Sequence, residues 1–142
     1  MKRIFLFLLL GAGCLYADFT KTGDIVQDQL SGLEWQDNDA THDDVKTWEE
    51  AVTYCEELNI AGKTDWRLPN KNELLTIVDY TKYDLAIEST FQHAAPLAYW
   101  SSTSIKEYHD YAWVVYFLDG ASFGYFKIES DNTYVRCVRD MP

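Results

Sequence analysis

The sequence predicts an α+β domain with two helices in its first half and a twisted, mainly antiparallel sheet in its second. Three observations predict it. Two capping boxes, Thr47 with Glu50 and Asn70 with Glu73, each open an apolar run at helical spacing. From Ala98 onward the apolar residues are spaced for strands, and Asp119-Gly120 supplies a hairpin turn. No internal repeat, linker or low-complexity tract divides the chain.

Taken in order, residues 1–17 read as a secretory signal. Lys2 and Arg3 are its basic start, Ile4 to Leu10 its apolar run, and Ala17 its cleavage position. That run is too short for a span of about 20 residues. Leu10-Gly11-Ala12-Gly13-Cys14 also resembles a lipoprotein signal, so Cys14 is a possible lipid anchor, although Gly11 stands where such signals carry Leu. The domain is then 18–142, about 125 residues with one core.

Ile25 to Asp28 and Leu33 to Gln36 flank the Ser31-Gly32 turn and predict a hairpin. Asp37 to Asp44 reads as a polar loop. Trp48, Ala51, Val52, Cys55 and Leu58 make one helical face, which points Cys55 inward. Pro69 precedes the second helix, whose apolar side is Leu74, Leu75, Ile77 and Val78. Tyr111, Trp113, Val115 and Phe117 alternate with Ala112, Val114 and Tyr116, so both faces of this strand are apolar and the sheet is covered on both sides. Ser122 to Ile128 returns, Asp131-Asn132 turns, and Tyr134 to Val138 is the last strand.

Charge narrows the partners. The chain carries 12 Lys+Arg against 23 Asp+Glu. Loss of Lys2 and Arg3 with the leader leaves 10 cations and a formal charge of −13. Such a surface repels nucleic acid, anionic lipid and sulfated polysaccharide. It favours neutral sugars, cations or basic proteins, or serves solubility alone. A local cluster of Lys63, Arg67, Lys71 and Lys82 is the exception. Aromatic residues make up 15% of the chain, and all five Trp follow the leader, so they either fill the core or line a binding surface. After the leader only Cys55 and Cys137 remain. Export makes a disulfide the expected state; two buried thiols or a metal pair are the alternatives.

A set of blocks in fixed order carries a resemblance. Phe19-Thr20 and Gly23-Asp24 come first, then Gly32-Leu33-Glu34-Trp35-Gln36-Asp37-Asn38, Thr47-Trp48-Glu49-Glu50-Ala51 and Tyr54-Cys55. Asp65-Trp66-Arg67-Leu68-Pro69-Asn70, Glu73-Leu74, Tyr99-Trp100-Ser101-Ser102-Thr103, Ala112-Trp113 and Val135-Arg136-Cys137-Val138-Arg139 follow. Together they resemble the Lcl C-terminal domain family. Arg67-Leu68-Pro69 is also similar to a block of the formylglycine-generating enzymes. The resemblance implies a C-type-lectin-like fold, with the helix cysteine bonded to the last-strand cysteine. It implies fold-defining roles for Trp35, Trp48, Trp66, Arg67, Leu68, Pro69, Asn70, Trp100, Ser101, Ser102, Trp113 and Arg136. The family's best-known adhesin binds sulfated glycosaminoglycans from a collagen stalk. This chain has no Gly-x-y repeat and is acidic, so that ligand is not expected here.

No motif specifies a reaction, and no catalytic residue or cofactor is expected. Ser101 and Ser102 lack a nucleophile-elbow context. His42, His93 and His109 are scattered without metal-ligand spacing. Asp37 and Asp39, and Asp131 and Asn132, lie in loops with hard oxygen ligands but match no calcium signature, so no metal is expected. Tyr108, Tyr111, Tyr116 and Tyr125 are the candidates for an exposed ligand-binding surface. Arg136 and Arg139 fall on opposite faces of the last strand. The expected function is an exported, non-catalytic domain that recognises a glycan or an extracytoplasmic protein at the cell surface or in the periplasm. A structural envelope subunit is the alternative, and a formylglycine-generating-type enzyme the third reading.

Overall fold

The computed structural model describes residues 18–142. The expected signal 1–17 and its Cys14 lie outside them. Eight strands and three helices form among the described residues, an α+β architecture. Strands β1 (Phe19–Thr22), β2 (Ile25–Asp28), β3 (Leu33–Gln36) and β8 (Val138–Asp140) make one antiparallel sheet in that order. A second sheet has β4 (Ala98–Ile105), β5 (Tyr108–Tyr116), β6 (Ala121–Phe126) and β7 (Thr133–Tyr134) in the order β6-β5-β4-β7. Only the β4–β7 pair is parallel.

The hairpin of β2 and β3 forms where expected, with Ile25 opposite Gln36 and Asp28 opposite Leu33. Its turn is held by the Asp28 carboxylate, which accepts from the Leu30 N–H and the Ser31 hydroxyl. Both expected helices also form. Thr47 and Glu50 cap α2 (Trp48–Glu57) reciprocally, and Asn70 and Glu73 do the same for α3 (Lys71–Leu75).

Four expectations need correction. The Asp37–Asp44 stretch is not all loop: α1 (Ala40–Asp43) is a single helical turn, anchored because the Thr41 N–H donates to the Asn38 carbonyl. There are two sheets rather than one. The second predicted helix stops at Leu75, where the Thr76 hydroxyl takes the Glu73 carbonyl and the chain tightens to i→i−3 bonds. Ile77 is still buried, but off the helix. The last strand is broken into β7 and β8, because the Gln36 side chain takes the Cys137 N–H that a ladder would use.

The second sheet is covered on both faces, as the double apolar pattern predicts. On one side α2 contributes Ala51 and Cys55, which pack with Ala98, Trp100, Ala112 and Val114. On the other, Leu74, Ile77, Ile87 and Phe91 pack with Tyr99, Val115 and Phe117, and with Val26 and Trp35 of the first sheet. Cys55 and Cys137 are bonded, with Cα atoms 5.5 Å apart across 82 residues of sequence. This staples α2 to the segment entering β8.

Closing a loop of about 80 residues stabilises by about 4.5 kcal/mol in the chain-entropy view. Reduction is therefore expected to lower the urea midpoint markedly. Intact mass should rise by two hydrogen atoms on reduction, with no alkylation beforehand. Two thiols alkylated before reduction would contradict the bond.

Candidate functional site

Most of the motif residues hold one another rather than a ligand. Arg67 grips Glu73 with both guanidinium nitrogens, at 2.6 and 2.8 Å, and reaches Asp140 at 3.1 Å. Its backbone pairs with Val138 in both directions. Trp66 and Leu68 are buried, the Pro69 carbonyl accepts from the Ser102 N–H, and Asn70 caps α3. The Ser101 hydroxyl donates to the Trp113 carbonyl, Trp48 Nε1 to the Ser101 carbonyl, and Trp100 Nε1 to the Lys46 carbonyl. Trp113 is only half-buried, and the Lys71 ammonium sits 3.7 Å over its ring. Trp35 is fully buried, and its Nε1 has no partner.

The deepest polar feature is Arg136 with Asp37, both fully buried. Asp37 was expected in a solvated loop as a possible metal ligand. Instead its carboxylate accepts from Arg136, Lys21 and the Gln92 and His93 N–H groups, at 2.6–3.1 Å. It has no oxygen free for calcium. Burial pushes its carboxyl pKa up, but these donors outweigh burial and hold it below the ordinary value. Glu73 is likewise held low by Arg67 and its cap bond against burial. Arg139, on β8, lies instead between Glu34 and Asp65; Arg136 falls in the break before that strand, so strand alternation does not relate the two.

Three of the four residues of the basic cluster are paired with carboxylates. Lys63 pairs with Glu34, Arg67 with Glu73 and Asp140, and Lys82 with Asp79. The fourth, Lys71, lies over the Trp113 ring instead.

The four candidate tyrosines separate into two groups. Tyr116 and Tyr125 share the sheet face over α2, and Phe123 joins them. Phe123 lies 6.1 Å from Tyr116 and 6.3 Å from Tyr125, ring centre to ring centre. Tyr125 in turn rests edge-on against Trp100. With Leu97, Ala98 and Asn132 these three line an open cleft of about 280 Å³. Asn132, considered above as a metal ligand, belongs here. Tyr111 lies on the opposite face, against Phe126 and Tyr108 near the β4–β5 turn. Sequence alone did not single out Phe123, because a lone Phe in a strand pattern reads as core; it is 38% exposed. Exposed Tyr80 and Tyr83 were also missed.

One further cluster was not legible. His42 and His93 stack with ring centres 5.3 Å apart, and Asp39 joins them. The three histidines are therefore not all scattered: two of them meet. The only sequence signal was Asp39 and His42 at i,i+3, which share a helix face.

The sequence model of the family described as the Lcl C-terminal domain matches residues 24–139. No curated protein matches the chain. The matched span holds every motif block except Phe19-Thr20 and Gly23.

Asp37 and Glu73 titrate below their unfolded values, so the native state binds fewer protons than the unfolded one. Their stabilisation is present above the unfolded carboxylate range, near pH 4, and is lost as pH falls through the lower folded values. Melting temperature should therefore drop steeply below about pH 4. Glu73→Gln should flatten that slope and Asp37→Asn should flatten it further, provided the variant folds. An unchanged acid slope in folded Glu73→Gln would contradict the assignment.

Proposed function

We propose, on the premise that this chain belongs to the Lcl C-terminal domain family, that it is an exported, non-catalytic binding domain for a neutral glycan. The observation that carries this reading is the cleft of Tyr116, Phe123 and Tyr125. Aromatic faces take the apolar C–H faces of a sugar ring, and the two phenol hydroxyls and the Asn132 amide offer donors and acceptors at the rim. At about 280 Å³ the cleft falls just below the usual range of ligand sites, about 300–1,000 Å³, and suits one ring rather than an extended chain. The paired basic residues and the acidic surface disfavour sulfated chains.

Two observations support the rest of the reading. A disulfide suits an oxidising compartment, in keeping with export to the periplasm or cell surface. The two cysteines of the described residues are bonded to each other, so neither offers a thiol for the chemistry of the formylglycine-generating type. The two small sheets, the capped helices and the helix-to-last-strand disulfide fit the C-type-lectin-like plan that the resemblance implies.

A glycan array on the purified protein should return saturable binding to neutral sugars and little to heparin-like chains. Phe123→Ala should weaken that binding about tenfold, the scale of a hot-spot contact, with little change in melting temperature. Tyr111→Ala, on the other face, should leave affinity unchanged. Absence of saturable glycan binding, or full affinity in Phe123→Ala, would overturn the proposal. A stoichiometric envelope protein captured without any sugar signal would favour the structural-subunit reading.

A further inference from the structure

We infer that Asp39, His42 and His93 form a binding site for a late first-row divalent cation of the zinc type. One ligand atom from each of the three lies within 4.8 Å of the others. The closest pair, Asp39 Oδ1 and His93 Nδ1, is 3.2 Å apart. Two ligands at 2.0–2.1 Å from a tetrahedral zinc are separated by about 3.3 Å, so that edge of the site is already at the right length. The remaining atoms close up by small ring rotations. Both imidazoles are about a third exposed, at 34% and 30%, and are free to turn.

The donor atoms are also set for a metal. His42 Nε2 faces the Asp43 carboxylate at 3.3 Å, while its Nδ1 is buried and has no partner. A proton on Nε2 leaves the Nδ1 lone pair with nothing to bind.

The backbone beneath the site is fixed before any ion arrives. The His93 N–H donates to Asp37, and its carbonyl accepts from Arg136 and from the Thr41 hydroxyl. The Thr41 carbonyl accepts from the buried Tyr99 hydroxyl. The turn carrying Asp39 and His42 and the loop carrying His93 are thus tied to the same buried network. An open cleft lined by Asp24, Asn38, Asp39, Ala40 and His93 lies beside the cluster, which leaves room for water as a fourth ligand. Two imidazoles select zinc, cobalt, nickel or copper over calcium and magnesium, which require more oxygen ligands.

The test uses untagged, disulfide-intact protein stripped of metal and titrated with zinc chloride. Calorimetry should give one ion per chain. A hundredfold excess over Kd should raise the melting temperature by about 5 °C or more, and calcium at the same concentration should not. Cobalt should develop the visible absorption of a tetrahedral site. His42→Ala and His93→Ala should each weaken uptake at least about tenfold, while His109→Ala should leave it unchanged. Asp39 is 80% exposed, so Asp39→Asn keeps the fold and should weaken uptake as well. No uptake by the parent protein would overturn the site, and so would stoichiometric uptake persisting in the His42→Ala/His93→Ala double variant. A calcium shift equal to that of zinc would do the same.

Discussion

A guanidinium and a carboxylate with no access to water sit where four chain segments meet. Arg136 and Asp37 draw together the end of β3, the irregular chain before β8, the loop around His93 and, through Lys21, strand β1. Burying two charges costs several kcal/mol per ion, and only near-complete hydrogen bonding offsets it. Here the carboxylate has four donors. Arg136 gives its terminal nitrogens to Asp37, the Gln36 carbonyl and the His93 carbonyl, and Phe91 lies 4.8 Å from its guanidinium carbon. Only Arg136 Nε is left over. The loops at this junction have no ladder of their own, so the ion pair fixes their positions.

Around that junction the motif blocks close on each other. Arg67 ties α3 to the end of the chain through Glu73 and Asp140. The Tyr99–Thr103 block donates to α1 and to the segment before α2, and accepts from the Lys71 N–H at the start of α3. The disulfide adds a covalent link between α2 and the same final segment. Most polar groups of these blocks are satisfied by a group from another block. The proposed glycan cleft is lined by residues outside them, such as Phe123.

How much of this could be read beforehand depended on the range of the interaction. The caps of α2 and α3 and the β2–β3 hairpin are local, so Thr47, Asn70 and the Ser31-Gly32 turn announced them. The disulfide followed from cysteine parity and the expectation of export. Asp37 was misread because its four donors come from residues 16 to 99 positions away, and a local view sees only an acidic loop. Helix α3 ended early because the Thr76 hydroxyl competes for a backbone carbonyl, which apolar spacing does not register. The His42–His93 stack and the Phe123 cleft are tertiary facts with no spacing rule behind them.

Hydrogen exchange at the Gln92 and His93 amides tests the central role of the buried pair most directly. Both lie in a loop, and the Gln92 side chain is exposed, yet each N–H donates to Asp37. Protection close to that of the core strand amides of β4 and β5 is the predicted result, with opening only in global unfolding. Exchange at the rate of an ordinary surface loop, in protein whose strands remain protected, would contradict the account.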